Sequence, residues 1–257
     1  MLKTNNLNIG YTQKGNSTNI VSDINITANK GDLIALIGVN GSGKSTLIRT
    51  LLKFQEYISG DILLNDKSLK SYTNNELAEN ISYVASRLTE QNNITAKDLI
   101  SLGRLPYTKW FGILSDKDKQ IINYVINTLG IENLAEKQFN NLSDGEKQKV
   151  LVARALAQDT DLIILDEPTS HLDLPGKFEL TAVLKKLTKE NNKAVVFSTH
   201  DLNIAFANAD IIWFIFENQL ISGTPKQIIE NQNFRNIFKN SSLSEDEQNK
   251  ILETLKF

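Results

Sequence analysis

The sequence predicts an α/β fold: a parallel-sheet core, an antiparallel β portion near its start, and an α-helical lobe inserted into the core. Three observations predict it. Leu33–Ile37 (LIALI), Leu162–Leu165 (LIIL) and Ala194–Phe197 (AVVF) are short unbroken apolar runs, as expected of strands buried on both faces, and each leads into a loop and a helical period. Residues 2–30 read as edge strands with turn residues between them (Lys14-Gly15-Asn16, Asn29-Lys30-Gly31), and Asp61 to Asn65 continues that β-rich portion. From residue 92 to residue 157 the pattern is helical. The expected organisation is one domain, with residues 1–91 and 158–222 as the α/β core, 92–157 as a helical subdomain and 223–257 as a C-terminal helical tail.

Length and composition agree with this. A chain of 257 residues is long for one simple domain and short for two large ones, which suits a core with an inserted lobe. Hydrophobic residues at 40% and charged residues at 23% are an ordinary soluble balance. A net charge of -2 gives no electrostatic case for nucleic acid or an anionic membrane. The absence of cysteine excludes disulfides and thiolate metal centres. The start, MLKTNNLNIGY, lacks the layout of a secretory signal, and the longest apolar run, Ile211 to Phe216, is too short to cross a bilayer. A soluble cytoplasmic protein is expected, brought to a membrane only by another chain.

Within the helical stretch, Thr95 with Asp98 and Ser115 with Asp118 have capping-box spacing, in which a hydroxyl and a carboxylate each satisfy an orphan amide. Gly130 is the stop expected after a helix over 116–129. Ser244 with Glu247 starts a last helix carrying Ile251, Leu252 and Leu255 on one face, which reads as a packing face.

Gly38 to Thr46 reads GVNGSGKST, satisfying G-x-x-x-x-G-K-[ST] after a strand and before the helical pattern LIRTLLKF. Glycines let backbone amides turn inward around phosphate oxygens, and the helix presents its positive end to the same anion. Lys44 reaches the β- and γ-phosphates in such a loop, and Ser45 holds Mg²⁺. Asp166 closes the run DLIILDE, where its carboxylate can bind Mg²⁺ through water. Glu167 follows at the strand's C-terminal end, suited to polarising an attacking water, with a salt bridge or helix cap as the bland alternative.

Leu142 to Gln148 (LSDGEKQ) is a capped helix start in which Ser143 and Glu146 form a box and Gly145 allows close backbone approach. Lying just before VLVARALAQDTDLIILDEPTSHLD, it resembles the signature of the ATP-binding subunit of an ABC transporter. That family's LSGGQ is LSDGE here, departing at the third and fifth positions but keeping Ser143 and Gly145. The resemblance covers almost the whole chain and implies a P-loop NTPase (RecA-like) core. It implies ATP on the loop residues Gly38, Asn40, Gly41, Ser42, Gly43, Lys44, Ser45 and Thr46, with Mg²⁺ on Ser45 and Asp166. It further implies that Tyr11 stacks on adenine, that Ser170 to Asp173 (SHLD) is the D-loop, and that His200 in STHDL contacts the γ-phosphate. His200 follows the third core strand, which favours that role over a structural one. Two copies would sandwich two ATP head to tail, with Ser143 and Gly145 acting in trans. His171 replaces a small residue of the D-loop and carries no assigned chemistry.

The lone short domain argues against translation-factor types, and there is no coiled-coil insertion or fused membrane span. The segment Asp98 to Gly112 (DLISLGRLPYTKWFG) with LSDKDKQIINYVINTLGI is similar to the helical lobe of importers of iron–siderophore complexes and vitamin B12. The resemblance therefore implies an ATPase powering import of an iron–siderophore complex or cobalamin. Its partners would be a second copy, two transmembrane permease subunits and, indirectly, an external substrate-binding protein, at the cytoplasmic face of the bacterial inner membrane. A metal-ion importer and an ATP-switched regulator outside transport are the alternatives, and a DNA-associated ATPase is disfavoured by the near-neutral charge.

One motif departs further. In ISYVASRLTEQ the family's glutamine position, aligned on Tyr83-Val84, is Ser86, a hydroxyl two heavy-atom links shorter than an amide. Ser86 acting through a water is expected to take that sensing place, with Gln91 as the second choice.

Overall fold

The computed structural model describes residues 1–13, 16–86, 93–108, 112–239, 250 and 252–255. In chain order the strands are β1 (Leu2–Gln13), β2 (Asn16–Ile24), β3 (Thr27–Ala28), β4 (Leu33–Gly38), β5 (Ser59–Leu64), β6 (Lys67–Ser68), β7 (Ile81–Val84), β8 (Leu162–Leu165), β9 (Ala194–Ser198), β10 (Ile211–Phe216) and β11 (Gln219–Gly223). The helices are α1 (Lys44–Leu51), α2 (Asn74–Asn80), α3 (Ala96–Ser101), α4 (Asp116–Thr128), α5 (Asp144–Ala157), α6 (Leu174–Asn191), α7 (Leu202–Asn208), α8 (Pro225–Glu230) and α9 (Gln232–Lys239). Contacts divide the chain into two compact units, Met1–Ser71 with Val196–Phe257, and Tyr72–Val195. Among the described residues no helix is long and apolar enough to cross a membrane.

In the first unit, β1 is not the edge strand that its sequence suggests. It pairs antiparallel with β2 on one side and β5 on the other. A period of two reports that one face is buried, here by Leu2 and Thr4 and, after the irregularity at Asn6 (φ 44°), by Leu7 and Ile9, but not how many neighbours the backbone has. The buried Thr4 hydroxyl donates to Ile24 O at 2.8 Å and accepts from Ile26 N at 3.0 Å, fixing the return of the chain beside β1. The apolar run Ile211 to Phe216 proves to be a core strand, β10, parallel to β4 from Ile211↔Ile34 to Ile215↔Gly38. It turns back into β11 through Glu217 and Asn218, at φ 44° and 65°, a two-residue geometry that matches strand twist. Phe234 of α9 packs against Phe206 of α7 and Phe214 of β10, with ring centroids 5.2 and 5.3 Å apart. Leu252 and Leu255 are buried, as a packing face requires, while Ser244, Glu247 and Ile251 lie outside the described residues.

In the second unit, β7 and β8 pair in parallel from Ile81↔Leu162 to Val84↔Leu165. The boxes expected at Thr95 and Ser115 cap α3 and α4, and a third, Thr73 with Glu76, caps α2. Helix α4 stops at Thr128, with Gly130 at φ 61°. The segment after α3 is a 3₁₀ turn, Leu102–Tyr107, seated on the C-terminal end of α5. A Cβ at Gly103 would overlap the Arg154 carbonyl oxygen, so only glycine lets the two backbones meet here. The next residue locks the seat. Arg104, 4% exposed, donates from Nε to Asp118 Oδ1 at 2.8 Å and from its terminal nitrogen to Ala157 O at 2.9 Å and Gln158 O at 3.2 Å. The Gln158 side chain in turn donates to Ala78 O and, at 3.0 Å, to Ile81 O, where β7 begins.

The Ser115 hydroxyl bond and the Arg104 guanidinium hold the Asp118 carboxyl at about 2, against 3.8 ordinarily, outweighing its burial. Breaking a buried pair leaves one charge uncompensated. Arg104→Met should therefore lower the unfolding free energy in urea by about 3 kcal/mol, and a loss under ~1 kcal/mol would show that the clamp contributes little. A carboxylate depressed on folding adds stability above its unfolded value of 3.8 that is lost as pH falls through about 2. The deficit of Asp118→Asn should accordingly stay constant from neutral pH down to about 5 and shrink towards pH 2.

Candidate nucleotide site

The predicted site residues fall in both units. In the first, β4 delivers the phosphate loop. Leu33 to Ile37 are at most 1% exposed, and the strand gives way at Gly38 to a loop closed by Ser42 N donating to Val39 O at 3.2 Å. Gly41 and Gly43 hold φ of 79° and 111°, which strain any side chain. A Cβ at Gly43 would also stand 2.7 Å from Ile20 Cγ2, whereas one at Gly41 would meet nothing within 4 Å.

Helix α1 then starts differently from its neighbours. Helices α2, α3, α4, α5 and α8 begin with full capping boxes, and α6 and α7 with aspartate caps. Helix α1 begins at Gly43 with no side-chain cap and no acid in its first turn. A helix start of this kind can present its positive end to an anion.

Lys44 is buried, and its Nζ donates to Gly38 O at 2.8 Å and Val39 O at 3.2 Å, so the loop's own carbonyls hold the ammonium over the cradle. Ser45 and Asn40 are exposed, and Thr46 is buried. Tyr11, 48% exposed on β1, places its hydroxyl 3.4 Å from Thr46 Oγ1, so the predicted stacking ring does stand beside the loop. His200 is exposed just beyond β9, and Thr199 N donates to Leu36 O at 3.2 Å, bringing that strand end alongside β4. Asp201 caps α7 through Ile204 N at 3.2 Å, which accounts for the acid after the histidine.

In the second unit the acids stand at the C-terminal end of β8. Asp166 is buried, and its amide donates to Val84 O at 2.9 Å. Ala85 and Ser86 therefore leave β7 beside Asp166; Ser86 is half-buried in a bend, and Gln91 lies outside the described residues. Glu167 has φ 52°, a backbone that costs a non-glycine residue about 1 kcal/mol and that nothing in the sequence announces. Ser170 bonds back to Glu167 O through its amide and its hydroxyl, and Asp173 caps α6 through Gly176 N at 3.0 Å. Ser143, exposed, caps α5 in the box with Glu146. A Cβ at Gly145 would stand 3.2 Å from His171 O, so that position and the SHLD turn are neighbours.

The donors fit the ligands expected of them. The uncapped start of α1 and the Lys44 ammonium suit a polyphosphate. The Ser45 hydroxyl and Asp166 carboxylate are hard oxygen donors of the kind Mg²⁺ takes, and Mg²⁺ commonly adds phosphate and water oxygens to one or two protein ligands. Sequence reasoning missed the carbonyl cradle of Lys44 and the open cap of α1; glycine at the cap position was the available signal for the second. The glycine geometry separates two substitutions. Gly41→Ala should cost about 1–2 kcal/mol in urea unfolding, from backbone strain alone, and Gly43→Ala clearly more, because strain and overlap add. Equal losses would refute the crowding at Gly43.

The family profile described as ABC transporter matches residues 21–170. An uncharacterized ABC transporter ATP-binding protein of Methanocaldococcus jannaschii is 39% identical over 248 residues, 95% of this chain and 84% of the relative. The petrobactin import ATP-binding protein of Bacillus anthracis is 32% identical, over 93% of this chain and 86% of its own length. The iron(3+)-hydroxamate import ATP-binding protein of Bacillus subtilis is 36% identical, over 79% and 74%. Among solved structures, an inward-facing putative metal-chelate type ABC transporter aligns with TM-score 0.79 and 30% identity, covering 93% of this chain and 88% of that one. Similarity of this length amounts to descent: the chain belongs to the ABC transporter family, as one of its ATP-binding subunits.

Proposed function

We propose that the protein hydrolyses ATP to power import of an iron–siderophore complex, with cobalamin the next cargo in line. The observation that carries the cargo class is that similar chains are import ATP-binding proteins for petrobactin and iron(3+)-hydroxamate, and that a solved structure sharing 30% identity is of a putative metal-chelate type ABC transporter. The Leu102–Tyr107 turn supports the same reading, since it exposes Leu102, Leu105 and Tyr107 on a rigid seat where a membrane subunit can dock. Two permease subunits, an external binding protein and a second copy of this chain complete the assembly, at the cytoplasmic face of the bacterial inner membrane. Residues 92–157 are taken as its helical lobe and 223–257 as its tail. No role for nucleic acid is proposed.

In this reading the first amides of α1 and the Lys44 ammonium bind the β- and γ-phosphates, and Tyr11 lies under adenine. Mg²⁺, held by Ser45 and Asp166, supplies neutralisation of charge on the phosphate oxygens. Glu167 accepts a proton from the attacking water, His200 donates to the γ-phosphate, and Asp173 with Ser143 and Gly145 meets the nucleotide of a second copy. Ser86 takes the sensing place next to Asp166.

Two measurements test these assignments. Glu167→Gln should lower steady-state ATP hydrolysis at least a hundredfold while leaving the Kd for ATP within about twofold; near-parental turnover would remove Glu167 from the chemistry. A deletion strain should lose uptake of radiolabelled iron presented on hydroxamate or catecholate chelators. Loss of cobalamin uptake alone would transfer the assignment to cobalamin, and loss of free metal-ion uptake alone would overturn it.

A further inference from the structure

The start of α5 commits the one proton of the Ser143 hydroxyl. Ser143 Oγ lies 2.9 Å from Glu146 Oε2, and a carboxylate has no proton to give, so the serine is the donor in that contact. The same Oε2 accepts from Ser143 N at 2.8 Å, and Ser143 Oγ accepts from Glu146 N at 3.3 Å. The bonds from the Ser143 backbone and hydroxyl hold the Glu146 carboxyl below the usual range, against its burial and with help from Lys137 and Lys149. Lys137 Nζ is 3.9 Å from Glu146 Oε1; Lys149 is 3.2 Å from Glu179, and Lys147 is 3.7 Å from Asp144. The exposed serine therefore offers an incoming phosphate a hydroxyl whose proton already serves an anion, with that anion next to it.

We propose that Glu146 is a positioning residue that weakens the closed, nucleotide-bridged pair of copies, by holding the Ser143 proton and by adding a negative charge where a phosphate must approach. This rests on the reading above that Ser143 meets the γ-phosphate held by a second copy. Glutamine at this position would still accept from Ser143 N and so keep the helix start intact, while holding the hydroxyl proton more weakly, as a neutral acceptor, and removing the charge. The chain thus has a contact tuned for reopening rather than for maximal closure.

The test is sedimentation equilibrium of the full chain with Mg-ATP in the Glu167→Gln background, at low and high salt. Adding Glu146→Gln should tighten dimerisation about tenfold at low salt, with a smaller gain at high salt where the charge is screened. Glu146→Asp, which keeps the charge, should not tighten it. Ser143→Ala should reduce the gain from Glu146→Gln in a double-mutant cycle to the salt-sensitive part that the charge alone accounts for, which a mere helix cap would not do. Urea midpoints of the Glu146 variants should match the background, showing that folding is not the cause. Dimerisation unchanged or weakened by Glu146→Gln, or a gain that Ser143→Ala leaves undiminished, overturns the proposal. If ATP binds yet no variant dimerises, the two-copy reading itself falls, and this proposal with it.

Discussion

A strand whose side chains are buried on both faces has no room for polar chemistry along its length and can deliver it only where it ends. Strands β4, β8 and β9 are of this kind, with Leu33–Ile37, Leu162–Leu165 and Ala194–Ser198 all buried. Their last residues are where the candidate chemistry begins: Gly38 and its loop after β4, Asp166 and Glu167 after β8, Thr199 and His200 after β9. Leu33 N donates to Asp210 Oδ2 at 2.9 Å where β4 begins, and Thr199 N reaches Leu36 near its other end.

Helix starts divide the remaining work by a single rule, that four amides at each start need partners. At α2, α3 and α4 a hydroxyl and an acid fill the place, and the start is structural. At α1 a glycine stands at the cap position and supplies no side-chain cap, a start suited to a phosphate. The start of α5 is filled yet exposed, and lies against the His171 backbone at Gly145. Its Ser143 hydroxyl can reach another molecule only by giving up part of its own box, which is why the acid in that box governs how strongly it does so.

These two rules also explain what was legible in the sequence. Burial on both faces writes itself as unbroken apolar runs, so β4, β8 and β9 were visible, and capping boxes join residues three apart, so those of α3, α4 and α5 were visible too. The phosphate loop is local in the same sense. The central place of β1 depends on a partner some sixty residues away, as in Leu2↔Leu64, and no period records it. Arg104 finds Asp118 and the Ala157 carbonyl only after α4 and α5 have packed. Its sequence neighbourhood, Gly-Arg-Leu-Pro, shows a turn but not an anchor. The Lys44 bonds to Gly38 and Val39 carbonyls likewise exist only once the loop has closed.

The serine at position 86 is the case where sequence and fold have to be weighed together. By residue type it is a poor substitute for an amide, being two links shorter. By backbone it is well placed, because the Val84↔Leu165 pairing and the Asp166 N to Val84 O bond bring β7 out of the sheet beside the buried carboxylate. Parallel pairing fixes that neighbourhood whatever side chain follows Val84. Gln158 reinforces it from the other end, tying the start of β7 to the helix that carries Ser143. A hydroxyl in this position can extend its reach through a bridging water. The proposed sensing role of Ser86 thus draws on the register of two strands more than on the residue itself.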